Sequence, residues 1–214
     1  MTKSSSKTTR RALPKEVRRQ QLVLATIKCI ARSGLSSTTM AMVTQEAGLS
    51  LGIANLHFES KDKLLIATLE HVTGEYNSGQ EAILKSDKHP STAEKIEALL
   101  QFDFSPKVTQ KNKMAVWFAF WGEAKSRPTY QNICANSDYK SEDAIRDLFQ
   151  QAVDEGGYSN ANVALLASGY TALIDGLWLD LLVAPRRMNR TKARLIARHY
   201  LASAFPNHLT PEPD

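Results

Sequence analysis

The sequence predicts an all-α protein in which a small three-helix N-terminal unit precedes a larger helical one. Three observations predict it. Apolar and small residues recur at helical spacing, as at Leu22, Ala25, Thr26, Cys29 and Ile30, which follow i, i+3, i+4, i+7, i+8. The interruptions fall on Pro90, Pro106, Pro128, Gly156, Gly157 and Pro185, residues that end helices. No segment alternates polar and apolar residues with period two over a useful length.

The first helix is expected to open at Pro14, since proline suits a first turn, and to stop at Gly34. Ser36, Ser37, Thr38 and Thr39 then supply good N-caps for a short helix over Met40–Ala47. Gly48 ends it, and Ser50 caps a second short helix over 51–56. Two short helices joined by a tight glycine turn form a helix-turn-helix. Ser60 caps a longer helix over 61–85. Further helices are expected near 91–103, 108–126, 129–155, 160–183 and 189–204. The domains follow: a flexible basic arm over 1–13, a helix-turn-helix domain over 14–65, a helical effector-binding and dimerisation domain over 66–205, and a flexible tail over 206–214.

Composition narrows the function. The 214 residues are 43% hydrophobic, enough for a real core, and 23% charged, ordinary globular usage. The net charge of +5 is an N-terminal property: residues 1–20 hold Lys3, Lys7, Arg10, Arg11, Lys15, Arg18 and Arg19 against Glu16 alone. Such a stretch suits contact with phosphates. The setting expected is the cytoplasm, without a membrane partner. The N-terminus lacks a secretory signal, no uninterrupted apolar run nears the ~18–20 residues that span a bilayer, and Cys29 and Cys134 read as two buried thiols. No metal or cofactor is expected. His57, His71, His89, His199 and His208 have no metal-ligand spacing, and neither a G-x-S-x-G elbow nor a Walker loop occurs, so an enzyme is disfavoured.

The segment from Ala47 to Leu65 has the parts of a DNA reader. Gly48 permits a left-handed turn. Thr38, Thr39, Ser50, His57 and Lys61 can meet phosphates. Gly52 and Ala54 are small, so a helix can approach base edges closely. Asn55 can pair with adenine through two hydrogen bonds. Phe58 is expected to lock the helix to its core. This segment resembles the TetR family of one-component regulators, with a departure at Asn55, where that family often has Tyr. The resemblance covers roughly the first 65 residues and implies binding to double-stranded operator DNA.

The larger unit holds all three tryptophans. Trp117, Phe120 and Trp121 share one helix face, and Asp175 and Trp178 share another. An acid among tryptophans suits a cation with an apolar body, because aromatic faces recognise a quaternary ammonium. Ordinary core packing of the aromatic residues and a paired carboxylate form the competing reading. Asp103 reads equally as part of such a cage or as a solvent-facing helix end. The stretches Arg18 to Leu22, Phe102 to Asp103, Trp117 to Trp121 and Ala172 to Leu179 resemble the BetI group, choline-responsive repressors of glycine betaine synthesis. That resemblance implies a repressor that binds its operator without ligand and responds to choline; a homodimer is expected. A TetR-type regulator of a multidrug exporter, sensing varied cations, is the alternative.

The expected mechanism pairs the last two helices of two copies. Leu165, Leu166, Leu173, Leu181, Leu195 and Ile196 are available for that contact or for the core. Two recognition helices then enter successive major grooves about 34–36 Å apart. The effector shifts the helix at 61–85 and changes that separation.

Overall fold

A computed structural model describes residues 14–210; the basic stretch over 1–13 and the last four residues of the expected tail lie outside them. The described residues form nine helices: α1 Lys15–Ser33, α2 Met40–Ala47, α3 Leu51–His57, α4 Lys61–Leu84, α5 Thr92–Asp103, α6 Lys111–Glu123, α7 Pro128–Gly156, α8 Val163–Val183 and α9 Arg190–Ala204. The caps are those the sequence marks. Thr39, Ser50 and Ser60 accept hydrogen bonds from the amides of Met42, Ile53 and Lys63. Each satisfies an orphan donor of a helix start. Gly48 is left-handed at φ 63°, which turns the chain sharply from α2 into α3. Ser91 and Glu94 add a reciprocal capping box at α5.

Three apolar clusters hold the helices together. The first closes the N-terminal head, where Leu22, Cys29, Val43, Ala54, Phe58 and Leu64 meet. The third fills the larger bundle of α5 to α9. The second lies between them: Ile27 and Ile30 of α1 pack with Leu69 of α4, Val116 and Phe120 of α6, and Tyr130 of α7. Head and bundle therefore share a core, and α1 leans directly on α6. Arg127 also reaches Asp62 at 3.0 Å across this junction. Cys29 and Cys134 are both buried free thiols.

One expectation needs correction. Residues 206–210 were expected to fray, yet Leu209 is buried and the Asn207 amide donates to the Tyr158 hydroxyl at 2.8 Å. His208 faces that hydroxyl at 3.0 Å and Glu155 at 3.2 Å. The anchor is Tyr158, whose ring sits against Phe205 and over Gly156, where no Cβ obstructs it. Helix α8 is long and apolar enough by length and composition to cross a membrane, yet it is not an uninterrupted apolar run. It is interrupted by Asp175 and Asp180 and packs on α6, α7 and α9. Leu165 and Val183 of α8 are 69% and 64% exposed, an apolar surface that the other described residues leave uncovered.

Candidate functional site: a DNA-reading head and an acidic aromatic cavity

The head presents α3 on its surface. Gly52 and Asn55 are exposed, Ser50 is exposed while capping the helix, and His57 is half-buried. Lys61 places its ammonium 3.3 Å from the Ser36 carbonyl, beside the start of α4. Thr39 is exposed and caps α2. Two expected contacts are corrected. Ala54 is fully buried in the head core, so its small size serves packing rather than approach to bases. Thr38 is 1% exposed and donates its hydroxyl to the Gly34 carbonyl at 2.8 Å, so it has no face left for a phosphate.

Phe58 is buried, as its role as a lock requires. Its partner was not legible in the sequence. The guanidinium of Arg19 lies 4.4 Å from the Phe58 ring centroid and donates to the His57 carbonyl at 2.8 Å. Arg19 thus fastens the last turn of α3 to α1, both through a ring face and through an orphan carbonyl. The 38 residues between them hide the pairing from any local pattern.

In the bundle, four helices line a partly open cavity, with about 390 Å³ of unfilled space that includes its opening to solvent. Tyr76 enters from α4, Trp117 and Trp121 from α6, Asp138 and Ser141 from α7, and Tyr170, Asp175 and Trp178 from α8. The rings meet edge to face: Tyr76 and Trp178 at 5.2 Å, Tyr76 and Trp117 at 6.4 Å, Trp117 and Trp121 at 5.9 Å. Tyr76 and Trp117 also line a neighbouring hollow of about 290 Å³, where Glu75 is held by Lys113 at 2.6 Å and Lys107 at 3.4 Å.

The structure brings together Trp117, Trp121, Asp175 and Trp178 as cavity walls. It does not bring Phe120, which is fully buried against Tyr130 at 4.8 Å in the core shared with α1. Helix α6 is sandwiched, and the 60° between residues 117 and 120 is enough to turn one ring to the cavity and the other to α1. Asp103 matches neither reading given to it. It is fully buried behind the wall, accepting from Tyr76 at 2.8 Å and from Tyr170 at 2.6 Å, while its carbonyl accepts from the Trp178 indole at 2.9 Å. It braces three cavity rings.

The electrostatics are those of an acidic site. Burial pushes Asp175 up to about 7, helped by the charges of Asp138 and Asp103. Burial and Glu142 push Asp138 up to about 6. Burial also pushes Asp103 up to about 6, against the pull of its two tyrosine donors. Among the described residues, neither Asp138 nor Asp175 has a hydrogen-bond or ion-pair partner. Carboxylates left so are costly unless a cation comes to them. Among the described residues no three His, Cys, Asp or Glu side chains are grouped as metal ligands. Tyr76, Asp138 and Tyr170 were missed in the sequence. Asp138 and Ser141 do stand three apart on one face of α7, the same signal that marks Asp175 and Trp178.

Known proteins resemble this arrangement along nearly its whole length. Residues 22–68 match the bacterial regulatory proteins of the tetR family, and residues 92–206 match the BetI-type transcriptional repressor C-terminal domain. The HTH-type transcriptional regulator BetI of Escherichia coli K12 is 27% identical over 195 residues, which span 89% of this chain and 95% of that protein. BetI 2 of Chromohalobacter salexigens is 29% identical over 185 residues, or 86% of this chain and 87% of that one. A transcriptional regulator from Pseudomonas aeruginosa PAO1 superposes with a TM-score of 0.81 at 25% identity, covering 95% and 98% of the two chains. A regulator from Saccharomonospora viridis, solved in complex with choline, superposes at 0.77 and 20% identity over 87% of this chain and 96% of its own. The chain belongs to the TetR family of transcriptional regulators, with a BetI-type C-terminal domain.

Proposed function

We propose that this regulator binds its operator as a homodimer and releases it on binding choline, thereby controlling genes for choline uptake and conversion to glycine betaine. The observation that carries the reading is the pair of unpartnered acids, Asp138 and Asp175, facing one cavity walled by Tyr76, Trp117, Trp121 and Trp178. A quaternary ammonium offers no N–H to a carboxylate. It is held by ring faces and by net negative charge, and this cavity supplies both. The BetI relatives and the choline bound by the Saccharomonospora regulator support the same ligand class.

Thr39, Ser50, His57 and Lys61 are assigned to phosphates, and Asn55 to an adenine edge, with Gly52 allowing close approach. The uncovered apolar surface of α8, with Leu165 and Val183, is the expected meeting face of two copies in the cytoplasm. Release follows if choline prefers the conformation whose recognition helices are wrongly spaced. Two helices can carry that preference. Helix α4 holds Tyr76 in the cavity and Lys61 beside α3, and α6 holds Trp117 in the cavity and Phe120 against α1.

Calorimetric titration of choline, with ethanolamine as control, tests the ligand. Ethanolamine keeps the charge and the hydroxyl but lacks the methyl groups that fill an aromatic cage. Tight choline and weak ethanolamine binding are expected. Absence of choline binding, with binding of large lipophilic cations instead, would move the sensor to the exporter-type alternative.

A further inference from the structure

Helix α3 turns a single arc outward. At 100° per residue, Leu51, Asn55, Gly52 and Leu56 follow one another over about 140° of the surface. All four are exposed, whereas Ala54 on the opposite arc is fully buried. Two of the four are leucines, and Leu56 is 78% exposed and Leu51 49%. The head core lies on the other side of the helix, where Ala54 and Phe58 pack.

The composition of this arc limits what it can read. No Arg or Lys lies on α3, so the helix has no forked donor for the paired acceptors of guanine. Asn55 matches the donor and acceptor of adenine. The thymine C5 methyl is the apolar group that base pairs display in the major groove. An aliphatic side chain that is exposed in the free protein gains by covering it. Gly52, between Asn55 and Leu56 on the arc, lets the backbone come close.

We propose that Leu51 and Leu56 read thymine methyl groups on either side of the base pair met by Asn55, so that each half-site has an A·T core. The phosphate contacts position the head, and this leucine–asparagine–leucine face selects the sequence. The inference is independent of which effector the cavity takes.

The test selects binding sites from random duplexes with the full-length protein. The selected thymines are then replaced one at a time by uracil, which removes only the C5 methyl. The expected core is adenine and thymine. Wild-type affinity should fall about fourfold at each contacted thymine, the effect of uncovering one methyl-sized group. Leu56→Ala should bind thymine and uracil duplexes equally at one position, and Leu51→Ala at another. Both residues are on the surface, so neither change threatens the fold. Enrichment of a G·C core, no enrichment, wild-type indifference to uracil, or discrimination kept in both variants would overturn the proposal.

Discussion

The hydroxyl of Tyr76 on α4 donates to Oδ1 of Asp103 on α5 at 2.8 Å. Helix α4 begins at Lys61, beside the recognition helix, so Tyr76 sits about 22 Å along a continuous helix from the head. The same tyrosine stacks on Phe102 at 5.6 Å and meets Trp178 edge-on at 5.2 Å. The cavity and Lys61, proposed above to meet a phosphate, are therefore joined by one helix.

Tyr76→Phe keeps the ring and removes the donor to Asp103. It should cost about 1 kcal/mol of stability. Choline should still bind, but the loss of operator affinity that saturating choline causes should shrink. Operator titrations with and without choline measure that ratio; an unchanged ratio would remove Tyr76 from the coupling.

Choline affinity should rise with pH. Asp138 and Asp175 sit at about 6 and about 7, and a cation favours their ionised forms. The groups that set this are Asp103 on α5, Asp138 and Glu142 on α7, and Asp175 on α8. Affinity should be weak at pH 5.5, climb through pH 6–7 and level off by pH 8. The ligand-free protein should show the opposite slope. A carboxyl whose folded value is raised holds its proton while the unfolded chain loses it, so stability falls as pH rises from about 4 to about 7. Melting curves with and without choline at pH 5.5 and 8 check both signs.

Asp175→Asn removes one unpaired carboxylate. It should lower choline affinity at least about tenfold at pH 8. It should also raise the melting temperature of the ligand-free protein at that pH, because a half-buried, poorly solvated charge is gone. Loss of both stability and DNA binding would place Asp175 in the structural framework instead.

Trp121 is the cleaner aromatic probe, since it is half-buried, whereas Trp178 is buried and donates to Asp103. Trp121→Ala should weaken choline binding and leave operator binding intact. Trp178→Ala should also cost about 3–5 kcal/mol of stability. Calorimetry and thermal melting of the two variants separate cage from core.

Arg19→Ala and Lys61→Ala should both weaken DNA binding, for different reasons. Lys61→Ala should reduce the salt slope of binding by about one unit. Arg19→Ala loosens α3 from α1, at roughly 1–2 kcal/mol of head stability, and should leave the salt slope unchanged. A reduced slope in Arg19→Ala would make it a phosphate contact.

The helices were legible in the sequence because their causes are local. Thr39, Ser50 and Ser60 cap, Gly48 turns, and prolines interrupt, each acting within a few residues. Trp117, Trp121, Asp175 and Trp178 were legible as a group because helical spacing places such pairs on common faces. Spacing states that residues share a face but not what the face meets. Packing of α6 between α1 and the cavity separated Phe120 from its neighbours, and closure of the head turned Ala54 and Thr38 inward. The meeting of Asp138 with Asp175, the hold of Arg19 on Phe58 and the two tyrosines on Asp103 join residues 27 to 67 positions apart. Contacts at that separation leave no periodic trace along the chain, so they exist only once the helices have packed.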